Sequence, residues 1–230
     1  MSSYSYQSSY SQPDQLMSPT VSTPARIFAG FFSFLFHPLL VGLLMNAYAI
    51  YLNPVFFVGF SGAVKLQALL IYSFNGVFLP LFAVLLCKGL GFVKSIYLRT
   101  QKDRIFPYTI SIVCFFWTFY VFRNMNGMPL ILARISLGIF LATSLAFIFN
   151  IFFKISMHAI GVGGLCGMFV ALIYSDAGIP GLGLPLILSI LITGIVCTSR
   201  LMISSHNYGD IVTGFLLGVF CQFVAALIIA

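Results

Sequence analysis

The chain has very few acidic or charged side chains: four acidic residues, all aspartate, among 230, and seven per cent charged residues in all. Histidine is equally scarce, with three residues. Sixty per cent of the residues are hydrophobic, whereas the surface of a water-soluble domain needs much more polar coverage. The composition therefore excludes a soluble enzyme and predicts an integral, multi-pass membrane protein.

The sequence also lacks a cysteine motif. The five cysteines form no CxxC pair and no Cys/His cluster. Cysteines scattered through apolar runs are typical of buried free thiols, and their spacing indicates no metal site. The formal net charge of +7 suits an anionic lipid surface or an anionic substrate, and no nucleic-acid partner is expected.

Residues 1–25 differ from the rest of the chain. They are rich in Ser, Tyr, Gln and Pro, with Asp14 as the one charged side chain, and they contain no apolar stretch of signal-peptide type. Such a segment buries too little apolar surface to offset its chain entropy. We predict a disordered tail over 1–25, followed by one transmembrane domain over 26–230.

Apolar runs close to the ~20 residues that span a bilayer recur through this domain. The predicted segments are 27–51, 66–87, 107–122, 129–151, 158–174, 184–203 and 211–230. The first segment has a second interpretation, a shorter span preceded by an interfacial helix that ends before His37 and Pro38. The predicted fold is all-α: a polytopic bundle of six to seven transmembrane helices with its active site at one membrane face.

Three polar clusters are predicted to meet at that face, because two spans separate each cluster from the next. The clusters cover residues 88–104, 154–158 and 200–210. The clusters share a face even if the first segment does not span the membrane, because the number of spans between them is unchanged. His37, beside Pro38, is interpreted as a structural residue far from these clusters.

The most informative spacing is Ser199-Arg200-x5-His206-x3-Asp210, directly before the last apolar run. Ionisable groups at membrane depth are costly and mark functional sites. His206 and Asp210 can meet as an i, i+4 pair on one helix, or Asp210 can cap the last helix while His206 lies in the preceding loop. In both arrangements a carboxylate fixes the histidine tautomer and leaves the other ring nitrogen as a nucleophile or base.

This spacing resembles the third signature, SRxxxxxHxxxD, of the type-2 phosphatidic-acid phosphatase superfamily. The second signature, PSGH, is similar to Ile155-Ser156-Met157-His158, which keeps the Ser-x-His pair. The first signature, KxxxxxxRP, has its nearest counterpart in the shorter spacing of Lys102, Arg104 and Pro107. The resemblance covers residues 30–230 in layout, and the third signature is the specific one.

The resemblance implies a metal-independent lipid phosphatase that hydrolyses a phosphate monoester or pyrophosphate of a lipid, such as a phosphatidate-, phosphatidylglycerophosphate- or isoprenyl-pyrophosphate-like substrate. His206 would attack phosphorus to form a phosphohistidine, Asp210 would orient it, and His158 would protonate the leaving group and then activate water. The expected phosphate-binding residues are Arg200, Arg104, Lys102, Lys154 and Ser156. The resemblance implies no cofactor, and the other expected partners are membrane lipids.

Several other interpretations remain open at this point. The loose first and second signatures leave room for a non-hydrolytic lipid-phosphate-binding pseudoenzyme, and the ionisable groups for a small proton-coupled transporter. Arg200 and Asp210 can also be an interfacial anchor and a helix cap. Gly161, Gly163 and Gly164 serve either as an anion-binding nest or as close helix packing.

Overall fold

The computed structural model describes residues 22–53, 55–91, 105–175, 179–203 and 206–229. These residues are helical apart from short connections, with no strand among them. The helices are α1 (Thr23–Leu35), α2 (Pro38–Ala47), α3 (Gly62–Tyr72), α4 (Leu79–Gly89), α5 (Ile105–Asn124), α6 (Leu130–Phe152), α7 (Met157–Ser175), α8 (Gly183–Ile203) and α9 (Tyr208–Ile228). Two π-helical segments continue the helices before them, Tyr48–Leu52 after α2 and Ser73–Phe78 between α3 and α4.

Among the described residues, six helices are long and apolar enough to cross a membrane, counting Gly62–Gly89 as one continuous helix. A seventh span is formed if α1 and the helix Pro38–Leu52 are taken together, although they meet at an angle of 55°. The prediction of an all-α polytopic bundle with six to seven spans is therefore confirmed. The bend falls where the sequence has His37 and Pro38, and α1 begins at Thr23, inside the stretch predicted as a tail.

The core of the bundle is α7, the most buried of the six membrane-length helices, and its closest partner is α9. Glycines set this contact. A Cβ atom on Gly163 would collide with the backbone of Phe215, and one on Gly218 would collide with the carbonyl of Ile160. Small residues four apart, as at 163/167 and 214/218, let membrane helices approach closely. These contacts fix α7 and α9 side by side along their length.

At one end of the bundle, the first turns of α5, α7 and α9 lie together. The Tyr108 hydroxyl donates to the Met157 sulfur over 2.8 Å, and the Ser156 N–H donates to the Asp210 carbonyl over 3.2 Å. At the opposite end, Arg134 Nε donates to the Ile229 carbonyl over 2.9 Å. The sequence positions predicted to share one membrane face therefore include residues that are in direct contact.

Candidate active site

The start of α9 forms a capping box. Asn207 is the N-cap residue, and its side chain accepts a hydrogen bond from the Asp210 N–H over 2.8 Å. In return, Asp210 Oδ2 accepts from the Asn207 N–H over 3.1 Å. A carboxylate in the first turn is also favoured by the helix dipole. Of the two arrangements considered from the sequence, the structure has the second, with Asp210 in the cap and His206 just before the helix.

Asp210 also holds His206. Its Oδ2 atom lies 3.2 Å from His206 Nδ1, and the two side chains are only 10% and 9% exposed. Because a carboxylate oxygen accepts, Nδ1 of the neutral ring carries the proton and Nε2 keeps its lone pair. One carboxylate thus caps a helix and holds a histidine in the tautomer that leaves Nε2 unprotonated.

The environment keeps this histidine neutral. Burial lowers the pKa of His206 below its ordinary value of 6.5, and the hydrogen bond with Asp210 opposes this shift. The positive charges of Lys154 and Arg200 lower the pKa further, because they disfavour a second positive charge nearby. The pKa of His206 is lowered overall, so the ring is neutral at neutral pH, with Nε2 unprotonated.

His158 is the second residue of α7 and is oriented from another part of the chain. Its Nε2 atom lies 3.0 Å from the Ser33 carbonyl oxygen at the end of α1. Since a carbonyl oxygen accepts only, Nε2 is the donor and Nδ1 is the nitrogen left for other partners. Helix α1 packs against α8, and this contact places Ser33 beside the site.

His37 lies at the same place. Its ring is perpendicular to that of His158, with the ring centroids 5.6 Å apart. The prediction that His37 lies far from the polar clusters was wrong. The bend between α1 and α2 places the ring beside α7, and the order of residues along the chain did not reveal that contact. The one available signal was the His-Pro step inside an apolar run, which marks a helix break.

A cavity of about 470 Å³ lies below these side chains, within the usual size range of ligand pockets. Its polar lining is concentrated at the end of the bundle where α7 and α9 begin. The residues there are His37, His158, Arg200 and His206. Apolar side chains from α2, α4, α5, α6 and α7 form most of the remaining wall, to which α9 contributes Gly218 and Gln222.

The cavity is deep. On α9 its lining extends to Gln222, twelve residues beyond Asp210, which corresponds to about 18 Å along a helix. That distance is more than half of the ~30 Å hydrocarbon core of a bilayer. Gln222 is buried, and its Nε2 donates to the Ile135 carbonyl over 3.2 Å. The cavity therefore has a polar mouth, formed by His37, His158, Arg200 and His206, above a long apolar chamber.

The remaining predicted residues have different positions. Lys154 acts on His206 through its charge and is not part of the cavity lining. Ser156 is fully buried, and its hydroxyl accepts from the Ala159 N–H over 3.4 Å, so it caps α7. Gly163 lies inside α7 at the contact with α9, which favours close packing over an anion nest. Lys102 and Arg104 lie outside the described residues.

Metal ligands are not grouped in the described ranges, where no set of three or more His, Cys, Asp or Glu side chains is placed to hold an ion. The five cysteines, all described, are free thiols.

Comparisons with known proteins find no matching family model, no matching curated protein and no matching solved structure. Function is therefore argued from the geometry of the site itself.

Proposed function

We propose that the protein is a membrane lipid phosphatase related to the type-2 phosphatidic-acid phosphatase superfamily. The observation that supports this most is the His206–Asp210 pair at the mouth of a deep apolar cavity whose lining also includes His158 and Arg200. A nucleophilic histidine, a second histidine for proton transfer and a guanidinium for phosphoryl oxygens are what phosphoryl transfer requires.

In the first step, His206 Nε2 attacks phosphorus and the bond from phosphorus to the leaving oxygen breaks. Protonated His158 gives its Nδ1 proton to that oxygen, which leaves as a lipid alcohol or, from a pyrophosphate, as a lipid monophosphate. Arg200 neutralises charge on the phosphoryl oxygens, for which its planar fork is well suited. The product of this step is a phosphohistidine at His206.

In the second step, neutral His158 takes a proton from water as the water oxygen attacks phosphorus. The phosphorus–nitrogen bond breaks, inorganic phosphate leaves and His206 regains its lone pair. Asp210 accepts from Nδ1–H in both steps, so it stabilises the ring when it carries positive charge. The cycle needs only the lipid substrate and water.

The apolar chamber is proposed to hold one lipid tail. Helices α2 and α4 both line the cavity but pack little against each other, and Leu81 on α4 is half-exposed while it lines the chamber. A tail can enter sideways between these helices while its phosphate reaches the mouth. Burial of a chain at about 25 cal/mol per Å² of apolar surface would provide the binding free energy.

The test is phosphate release from lipid monophosphates and isoprenyl pyrophosphates by purified protein in detergent with a metal chelator present. We expect turnover by the wild type and a loss of at least about a thousandfold in His206→Ala, because the nucleophile is removed. Lys65→Gln, a charge removal in α3, is the control and should retain activity. Acid-labile labelling of the wild type and not of His206→Ala would identify the phosphohistidine; full activity in His206→Ala would refute the proposal.

A non-hydrolytic lipid-phosphate binder is the second candidate, and one contact favours it. The Ser33 carbonyl occupies Nε2 of His158, so proton transfer depends on Nδ1 alone. A binder would take up vanadate or phosphate at the mouth without turnover and without a labelled histidine. Detection of the phosphohistidine would exclude it.

A further inference from the structure

The three histidines at the mouth differ in which nitrogen is left for a ligand. A neutral imidazole has one N–H group. That of His206 donates to Asp210, and that of His158 donates to the Ser33 carbonyl. In their neutral forms, neither ring has an N–H left for a ligand.

His37 is arranged the opposite way. Its Nδ1 accepts a long hydrogen bond, 3.4 Å, from the Leu39 N–H. Nδ1 must therefore be unprotonated, and the neutral ring carries its proton on Nε2. Of the three histidines, His37 is the one that keeps an N–H donor available in its neutral form.

The position of the His37 side chain follows from the proline that comes after it in the sequence. Pro38 occupies the first turn of α2 and disfavours helical dihedral angles in the residue before it. His37 accordingly has φ −60° and ψ 141° and becomes the N-cap of α2. The side chain is thereby held beside the His158 ring and in the lining of the cavity.

Capping alone does not account for a histidine here. Serine, threonine, asparagine and aspartate are the side chains that helices prefer at an N-cap, and each would accept from Leu39 with less bulk. What imidazole adds is a second nitrogen farther from the backbone, on a residue that is exposed and lines the mouth. Phosphate oxygens are acceptors, so this N–H matches them.

We infer that His37 is a further substrate-binding residue, whose Nε2–H donates to a phosphoryl oxygen of a lipid phosphate held at the mouth of the cavity. The inference rests on the proposed function, because it assigns a contact within that site. It adds a ligand contact from the α1–α2 bend, a part of the chain that none of the three signature-like stretches includes.

Two substitutions separate the two nitrogens. In His37→Asn, the amide oxygen takes the place of Nδ1 and keeps the cap, but no donor reaches the position of Nε2. In His37→Gln, the amide nitrogen reaches the position of Nε2, but the cap is weakened. The measurements are the dissociation constant for inorganic phosphate or vanadate by titration calorimetry, KM and kcat for a lipid phosphate, and the unfolding temperature.

We expect His37→Asn to bind phosphate about 10- to 100-fold more weakly, the range for loss of a hydrogen bond to a charged group, with an unchanged unfolding temperature. KM should rise more than kcat falls. His37→Gln should unfold at a lower temperature yet bind phosphate nearly as well as the wild type. Wild-type affinity in His37→Asn would show that the side chain is only a cap and would overturn the inference.

The results that would refute the proposed function differ from those that would refute only the contact from His37. If the wild type neither binds phosphate or vanadate nor releases phosphate from lipids, both ideas are refuted. If the wild type turns over and His206→Ala does not, while both His37 variants bind phosphate like the wild type, the contact from His37 alone is refuted.

Discussion

Asp210 has two roles that substitution can separate. Its carboxylate oxygen accepts from the Asn207 N–H to cap α9 and from His206 Nδ1–H to orient the proposed nucleophile. Asp210→Ala removes the acceptor of both hydrogen bonds. Asp210→Asn keeps an oxygen of the same reach and removes the negative charge, so the cap remains while the histidine loses a charged partner.

The interactions that each substitution removes set the expected loss of stability and the expected loss of kcat. Loss of an N-terminal cap costs about 1 kcal/mol of stability, which for a chain of this length shifts the unfolding temperature by about 2–4 °C. A hydrogen bond to a charged group contributes about 1.5–3 kcal/mol, and each 1.4 kcal/mol is tenfold in rate. Asp210→Asn should therefore lower kcat about 10- to 100-fold with little change in unfolding temperature, and Asp210→Ala should lower both.

Asn207→Ala is the matched control. It removes the side chain that accepts from the Asp210 N–H, while the contact between Asp210 and His206 does not involve that side chain. The assay pairs thermal unfolding in detergent with kcat for lipid-phosphate hydrolysis. We expect Asn207→Ala to lose stability like Asp210→Ala but to keep most of its kcat. Unchanged kcat in Asp210→Asn would refute the orienting role of the carboxylate.

Two further predictions concern charge and packing. Because Lys154 lowers the pKa of His206, Lys154→Met should raise that pKa. The acidic limb of kcat/KM against pH should then move to higher pH, and an unmoved limb would exclude this coupling. Gly218→Ala should lower the unfolding temperature, because overpacking against the Ile160 carbonyl costs about 1–3 kcal/mol. Gly194→Ala is its control, since a Cβ there meets nothing within 4 Å, and equal unfolding temperatures for the two variants would contradict the packing argument.

The helices could be predicted from the sequence because a membrane span requires a long apolar run. Their ends were predicted less well, since polar capping residues extend a helix beyond its apolar run. The last helix was predicted to begin at residue 211 and begins at Tyr208, after the Asn207 cap. The second segment was predicted from residue 66, and α3 begins at Gly62 after Ser61, whose hydroxyl accepts from the Val64 N–H.

The candidate site was predictable partly from the number of spans between the polar clusters and partly from local spacing. The even number of spans predicted that His158 lies at the same end of the bundle as Arg200 and His206, and the three line one cavity. The spacing of His206 and Asp210 allowed their contact to be anticipated, because four residues bring side chains together at a helix start. The approach of His37 to His158 depends on the bend before α2 and on packing between distant helices. The hydroxyl of Ser156 accepts from the Ala159 N–H, and a Ser-x-His pattern alone does not predict this local bond.

The relative position of the two proposed catalytic histidines follows from helix packing within the bundle. The Ser156 N–H, just before α7, donates to the Asp210 carbonyl in α9, and so joins the helix ends that position His158 and His206. Farther along, Gly163 and Gly218 keep the same two helices in contact. A loop between α8 and α9 would not by itself hold two imidazoles at a fixed separation. The close glycine packing therefore supplies the rigidity that the proposed in-line attack by one histidine and the proposed proton transfer by the other would require.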